Sequence, residues 1–92
     1  MILSFRCDET EALHRGFGSR RFRGIETAAR TRLARLDAAT SLNDLAQIRG
    51  NRLESLKGDR IGQHSIRINN QWRICFQWRD GNAHHVEIVD YH

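Results

Sequence analysis

The sequence contains no proline, a single lysine, a single tyrosine and only two cysteines among its 92 residues. Without proline, glycine and polar residues have to form the turns and end the helices. Cys7 and Cys75 lie far apart, and neither is surrounded by the spacing of a metal site. We therefore expect two reduced thiols, and a disulfide-stapled scaffold is excluded.

Long apolar runs are also missing, since no stretch approaches the roughly 18–20 residues of a membrane span. The first residues, MILSFRCDETE, lack the charged, apolar and small-residue regions of a secretory signal. We therefore expect a cytoplasmic protein without a membrane partner. Hydrophobic residues make up 39% and charged residues 28% of the chain, which is typical of a globular protein. The length predicts one domain over residues 1–92.

The scarcity of lysine leaves arginine as the dominant charge. Of the 15 basic residues 14 are arginine, the formal net charge is +4 and the isoelectric point is about 10.0. A guanidinium group binds phosphate oxygens through two parallel hydrogen bonds, whereas an ammonium group acts as a point charge. The composition is thus equally consistent with nucleic-acid binding and with a plain genomic bias towards arginine.

Helical spacing of apolar residues dominates the first half of the chain, and alternation dominates the second. Ser41, followed by Asp44 three residues later, predicts the capped start of a short helical turn. The first half is predicted to form a strand, a helix, an arginine-rich loop, a second helix and the capped turn, over residues 2–5, 8–15, 16–24, 25–39 and 41–45. After a loop over residues 47–52, the second half is predicted to form strands over residues 53–56, 64–69, 72–79 and 83–91.

The last two strands form a hairpin around Asp80-Gly81. A two-residue loop would place Glu87 opposite Ile74 and mix charge into the apolar face. A three-residue loop, which includes Asn82, instead pairs Ile88 with Ile74 and Val86 with Phe76, so we expect the longer loop. It also pairs Cys75 with Glu87 and places Arg73 and Tyr91 as diagonal neighbours on the other face. The predicted fold class is α+β, with a short N-terminal strand and two helices packed on a C-terminal antiparallel sheet.

A first basic cluster lies between residues 12 and 36, where Glu26 is the only acid among seven arginines. Such a stretch attracts polyanions, although a solvated helix face would have the same composition. Phe17 and Phe22 in the same segment are suited either to stacking on bases or to closing the edge of a core. The arginines predicted to bind RNA or the ribosome are Arg15, Arg20, Arg21, Arg23, Arg30, Arg32 and Arg35, together with Arg60 and Arg67.

A second cluster combines basic residues of the second half with the sequence Asp90-Tyr91-His92. Cleavage of RNA through its own 2′-hydroxyl needs a proton acceptor, positive charge for the phosphorane and an acid for the leaving oxygen. Histidine suits proton transfer near neutral pH, and Arg73 or Lys57 suits the phosphate. Taken singly, a histidine such as His92 is more often inert than catalytic, and Arg73 would be a solvent-facing strand residue.

The same chemistry requires neither a metal nor a cofactor, and we predict none. His84 and His85 are adjacent on a strand and point to opposite faces, so they do not ligate one ion together. The pair of Cys75 and Glu87 is too small a ligand set. No glycine-rich phosphate loop of either familiar spacing is present.

The segments LESLKGDRIGQHSIRINNQWRICFQW and VEIVDYH resemble the HigB toxins of bacterial type II toxin–antitoxin systems, within the RelE superfamily, and especially their GraT-like members. The resemblance extends over essentially the whole chain. It implies a microbial-ribonuclease-like sheet backed by two helices, and a ribosome-dependent endoribonuclease that cuts mRNA. The implied partners are the ribosome with its rRNA, mRNA and a HigA-type helix-turn-helix antitoxin, with operator DNA contacted only through the antitoxin complex.

The resemblance also implies roles for individual residues. His92 is the implied proton-transfer group, Tyr91 would orient the substrate beside Asp90, and Arg73 and Lys57 would stabilise the phosphate. Well-studied members have a histidine where this chain has Glu54. Because a carboxylate repels phosphate, we expect either weaker cleavage or a rearranged division of the acid and base roles. A gain in cleavage by Glu54→His would support the first of these expectations.

Two further functions remain open at the level of sequence. A basic protein of this size could occupy the decoding site, or another RNA, without cutting it. The ParE branch of the same superfamily inhibits gyrase, so a gyrase inhibitor is the second alternative. New mRNA ends would distinguish the nuclease from the binder, and induced DNA damage would indicate the gyrase inhibitor.

Overall fold

Residues 1–90 are described by the computed structural model, and Tyr91 and His92 lie outside them. These residues form helices on one side of an antiparallel sheet, which confirms the α+β class. The helices are α1 Asp8–His14, α2 Glu26–Ala38 and α3 Leu42–Ala46, and the strands are β1 Glu54–Ser55, β2 Gln63–Arg67, β3 Trp72–Arg79 and β4 Asn82–Asp90. Single 3₁₀ turns occur at Arg49–Asn51 and Gly58–Arg60. The predicted capping box at Ser41 and Asp44 begins α3.

The sheet has the order β1-β2-β3-β4, and the N-terminal segment runs along the outer edge of β4. The predicted first strand is wrong in detail, because Ile2 and Phe5 make only isolated parallel bridges to Ala83 and Val86. Further along this edge, Thr10 of α1 accepts a hydrogen bond from the backbone N–H of Ile88 at 3.1 Å. Together these contacts pair an edge that would otherwise expose its backbone polar groups.

The β3–β4 hairpin contains a bulge that the sequence analysis did not predict. Ile74 pairs with Ile88 and Cys75 with Glu87, as expected, but Arg79 pairs with Asn82. The three-residue loop is therefore wrong: Asp80 and Gly81 form a two-residue loop with φ of 52° and 78°, which is the type I′ geometry. The register set by the tight turn changes to the register of the apolar pairs between Cys75 and Gln77.

The bulge residue is His85, which has a φ of 54°. One extra residue on β4 returns the strand to the register that keeps its apolar side chains on one face. The N-terminal segment supports the irregularity, since Ser4 Oγ accepts a hydrogen bond from the His85 backbone N–H at 2.9 Å. The register that buries the apolar pairs thus coexists with a tight turn.

The core lies between α1, α2 and one face of the sheet. Ile66, Ile74 and Phe76 of the sheet belong to the same buried cluster as Leu13 and Leu33 of the helices. Each such side chain, when fully buried, contributes about 1.5–3 kcal/mol to the free energy of unfolding. The helices cover this face, and most of the polar residues of the strands lie on the other one. Among residues 1–90, no helix is long and apolar enough to cross a membrane.

His64 is a titratable residue on the apolar face, where its ring lies 6.0 Å from that of Phe76. Partial burial lowers the pKa of His64 below its ordinary value. As the pH falls through about 6.5, the unfolded chain gains this proton before the folded one, so the stability contributed by neutral His64 is lost towards acid pH. We expect His64→Gln to flatten this part of the pH profile of urea unfolding. His85→Asn, at an exposed position, is the control, and equal slopes for His64→Gln and the wild type would contradict the prediction.

Candidate active site

Four residues form a row across the polar face of the sheet. Glu54 pairs with Ser65, Ser65 pairs with Cys75 and Cys75 pairs with Glu87. Directly opposite residues of antiparallel strands point to the same face, so this row carries two carboxylates at its ends. Ser65 and Cys75 in the middle are fully buried. Burial raises the pKa of the Cys75 thiol, which makes it a poor nucleophile.

Arg73 lies on the same face and is only 6% exposed. The alternative of a solvent-facing strand residue is therefore wrong. Its Nε donates to Ser65 Oγ at 2.7 Å, and its Nη2 donates to the Ser65 carbonyl at 3.3 Å and to the Arg52 carbonyl at 2.7 Å. These bonds fix the plane of the guanidinium and direct Nη1 towards Glu54.

The Glu54 carboxylate is the charged partner of Arg73. Its Oε1 lies 3.3 Å from Arg73 Nη1, and its side chain is 46% exposed. Glu54 also lines a cleft of about 280 Å³ with Ser55, Leu56, Lys57 and Arg60. The ion pair thus places a carboxylate, neutralised from behind by a buried guanidinium, at the edge of a solvent-filled cleft.

The other side of the cleft is held by Arg60. Its Nη1 donates to Glu87 Oε1 at 2.7 Å and to Gln63 Oε1 at 3.1 Å. The hydrogen bond to Glu87 raises the pKa of Arg60 above its ordinary value. The row described above therefore binds an arginine at each end, Arg73 to Glu54 and Arg60 to Glu87. Lys57 lies in the segment that joins β1 to β2, and it is exposed.

The structure brings most of the predicted catalytic residues of the described chain together, but not all. Glu54 and Lys57 line one cleft, and Arg73 lies behind Glu54, paired with its carboxylate. Asp90 pairs with Trp72 and therefore points to the face opposite Arg73, where its Oδ2 accepts a hydrogen bond from Gln71 at 3.1 Å. The predictions for Tyr91 and His92 lie outside the described residues.

The predicted RNA-binding arginines differ in their contacts and in their exposure. Arg30 is used structurally, since it donates to the carbonyls of Leu13 and Phe17 at 3.0 and 2.7 Å. Arg15 is paired with Glu11 at 2.9 Å but remains 66% exposed. Exposed positions are also occupied by Arg20, Arg21 and Arg23, while Arg32, Arg35 and Arg67 lie on α2 and at the end of β2.

The two phenylalanines of the arginine-rich loop also differ. Phe22 is fully buried and packs edge-on against Trp72, with ring centroids 5.4 Å apart, so it does not stack on bases. Phe17 is 64% exposed. The loop therefore presents one aromatic ring to solvent and uses the other to close the core.

The residues that orient the site were not predicted from the sequence. Ser65, the Arg52 carbonyl and Gln63 carry no motif, and Glu87 was considered only as a weak metal ligand. The predicted pairing of Cys75 with Glu87 already placed the Glu87 carboxylate on the same face as Arg73. This pairing was the sequence feature that could have identified Glu87 as part of the site. Within residues 1–90 no group of three or more His, Cys, Asp or Glu side chains is arranged to hold a metal ion.

Known proteins are similar to this chain over most of its length. The family model for RelE-like toxins of the type II toxin–antitoxin system HigB matches residues 5–92. The chain is 49% identical over 59 residues to Toxin HigB-1 of Vibrio cholerae, which covers 64% of this chain and 62% of that protein. It is 44% identical over 62 residues to Endoribonuclease HigB of Proteus vulgaris, which covers 66% and 65%. The alignments thus span just under two thirds of either relative.

The fold is also similar to that of a solved structure, a YoeB–YefM complex from Staphylococcus aureus. The TM-score is 0.57, and the alignment covers 100% of this chain and 98% of that chain. The two sequences are 17% identical, so this similarity concerns the fold alone.

Proposed function

The chain belongs to the HigB-like family of RelE-like toxins from type II toxin–antitoxin systems, and from this premise we propose that it is a metal-independent endoribonuclease. Its substrate is mRNA on the ribosome, in the cytoplasm, so that cleavage stops translation. A HigA-type antitoxin neutralises it and carries the contacts to operator DNA. The name of the Proteus vulgaris relative, an endoribonuclease, supports the reaction class.

One observation supports the nuclease above a passive RNA binder. The Glu54 carboxylate lies 3.3 Å from the buried Arg73 guanidinium at the edge of the cleft that Lys57 also lines. Binding of RNA needs positive charge but no proton acceptor. A proton acceptor beside two cations is instead what attack by a 2′-hydroxyl requires.

The proposed reaction has two proton transfers and no covalent enzyme intermediate. Glu54 accepts the proton of the 2′-hydroxyl, and the 2′-oxygen forms a bond to the adjacent phosphorus. The bond from phosphorus to the 5′-oxygen breaks, and His92 gives its proton to that leaving oxygen. The products are a 2′,3′-cyclic phosphate and a 5′-hydroxyl end.

Arg73 and Lys57 stabilise the negative charge that accumulates on the phosphate oxygens. A lone carboxylate at this position would repel the phosphate. In the Arg73–Glu54 pair the guanidinium offsets that repulsion. We therefore favour a rearranged division of roles, with Glu54 as the base and His92 as the acid. Tyr91 is proposed to orient the substrate, and Asp90 to support that segment from the opposite face.

Docking on the ribosome is assigned to the exposed arginines of the first half of the chain. The loop carrying Arg20, Arg21 and Arg23 also presents Phe17, which is 64% exposed. Cations together with an accessible aromatic ring suit a folded RNA surface with unpaired bases. Arg15 extends the same surface from the end of α1.

The proposal is tested by mapping mRNA 5′ ends on translating ribosomes after expression of the wild type or of His92→Ala. The wild type is expected to create new 5′-hydroxyl ends, and the variant to lose about 100-fold in their yield, because the leaving oxygen then lacks its acid. Arg6→Gln, an exposed change outside the proposed site, is the control. Translation arrest without new mRNA ends would overturn the nuclease in favour of an RNA binder, and DNA damage would overturn it in favour of a gyrase inhibitor.

A further inference from the structure

Three arginines near the cleft form a cluster that the proposed reaction does not use. The α2–β2 arginine cluster consists of Arg32 and Arg35 on α2 and Arg67 at the end of β2. Arg32 Nε donates to the Arg67 carbonyl at 3.2 Å, which joins the helix to the strand end. A methyl group on Gly50 would lie 3.7 Å from Arg32 Nη2, so the turn Arg49–Asn51 borders the cluster.

Within residues 1–90 no ion pair balances the positive charge of this cluster. Each ion pair of residues 1–90 involves Arg15, Arg21, Arg60 or Arg73, and none includes a member of the cluster. Burial, with the like charges of Arg35 and Arg67, lowers the pKa of Arg32. The side chain of Arg67 donates to the neutral Asn70 amide. Holding like charges together costs free energy in the unbound protein, and a bound anion would offset that cost.

The cluster also borders the Arg73–Glu54 pair at the edge of the cleft. Arg67 and Arg73 are direct cross-strand partners, so their side chains lie next to each other on the polar face of the sheet. A phosphate beside Arg73 would therefore have Arg67 as its neighbour, and the hydrogen bond from Arg32 to the Arg67 carbonyl places Arg32 at the same strand end. Arg49, in the turn that borders Arg32, and Arg52, whose carbonyl binds Arg73, are also exposed.

We propose that the α2–β2 arginine cluster binds the phosphates that flank the scissile bond of the substrate RNA. The inference rests on the proposed function, because it assigns these residues to the strand being cut instead of the ribosomal surface. Continuity with Arg73 favours RNA over an acidic protein segment as the ligand. The cluster would hold the strand in register while the Arg73–Glu54 pair acts on one phosphate.

The first experiment measures affinity for a fluorescein-labelled single-stranded RNA by anisotropy, with every 2′-hydroxyl methylated so that it is not cut. The variants are Arg32→Gln, Arg35→Gln and the double change, and Arg6→Gln is the control with the same loss of charge as either single change. The logarithm of the affinity falls with the logarithm of the salt concentration. Removing one cation that neutralises a phosphate makes this slope less steep by about 0.7. We expect the double variant to lose at least about fivefold in affinity at 0.1 M salt, and the control to match the wild type.

The second experiment locates the binding site on the RNA by replacing one phosphate at a time with a neutral methylphosphonate. In the wild type, neutralising a flanking phosphate should weaken binding. In the double variant the same replacement should have no effect. Arg35→Gln keeps the test decisive if Arg32→Gln lowers stability, because no hydrogen bond joins Arg35 to β2 in the described chain. Circular dichroism at the assay temperature establishes that each variant is folded.

The outcomes separate this inference from the proposed function. If the wild type cuts mRNA while the double variant keeps its affinity, salt slope and methylphosphonate profile, the cluster does not bind RNA and the function stands. If the cluster behaves as expected but no mRNA ends arise, the phosphate site stands and the nuclease falls. Loss of affinity for the antitoxin with unchanged RNA affinity would overturn the inference in favour of an acidic protein segment.

Discussion

Replacing Arg73 with alanine is expected to lower mRNA cleavage by at least about 1000-fold and the free energy of unfolding by about 2–4 kcal/mol. The side chain is 6% exposed and bonds to Ser65 and to the Arg52 carbonyl. Its removal leaves these buried acceptors without their donor and the Glu54 carboxylate without its cation. The phosphate loses its charge stabilisation, and the base loses its fixed position.

Cleavage and stability have to be measured separately for this variant, by product formation on ribosomes and by urea unfolding. Arg73→Lys is the matched variant, because it keeps the charge but lacks the planar fork that reaches Ser65, Arg52 and Glu54 together. We expect Arg73→Lys to recover part of the stability while cleavage stays about 100-fold below the wild type. A folded Arg73→Ala protein that cuts within tenfold of the wild type would show that Arg73 is outside the active site.

The elements with strong periodicity could be predicted from the sequence. Strand β3 was predicted with its observed bounds, because apolar and polar residues alternate over its whole length from Trp72 to Arg79. The capping box of α3 follows from two residues at a fixed spacing. In both cases local residue chemistry determines the structure without help from distant contacts.

The hairpin register was only half predictable, because two local rules conflicted. Asp80-Gly81 favours a two-residue turn, whereas the apolar pairs favour the register of a longer loop. The chain satisfies both rules by a bulge at His85, whose backbone is supported by Ser4. That support comes from a residue 81 positions away, and no sequence window contains it.

The candidate site was predictable in its charged residues but not in their support. Arg73 and Lys57 were identified by residue type and family motif; Lys57 lines the cleft, and Arg73 is paired with Glu54 at its edge. The burial of Arg73 depends on the carbonyl of Arg52, which adopts a left-handed φ of 44°, and on a serine without a motif. Tertiary packing decides such contacts, so a strand residue that alternation assigns to solvent is buried instead.

Replacing Glu54 with glutamine is the second large effect, and we expect it to lower cleavage by about 100- to 10,000-fold. Glutamine has nearly the same shape and still reaches Arg73, but it does not accept a proton from the 2′-hydroxyl. Because the Glu54 side chain is 46% exposed, the change in stability should be small, within about 1 kcal/mol. Single-turnover cleavage on ribosomes, with urea unfolding as the control, measures both quantities. Wild-type cleavage by this variant would show that Glu54 is not the base.

Glu54→His distinguishes the two explanations of the carboxylate at this position. If Glu54 is the base, an imidazole takes over the proton transfer but gains a proton about two pH units higher than carboxylates do. The acid limb of the pH–rate profile should then move up by about two units, and cleavage at neutral pH should stay within about tenfold of the wild type. If the carboxylate merely weakens phosphate binding, cleavage should instead rise at every pH and the profile should keep its shape. The ion pair with Arg73 favours the first result, because a carboxylate already neutralised by a buried guanidinium has little repulsion left to relieve.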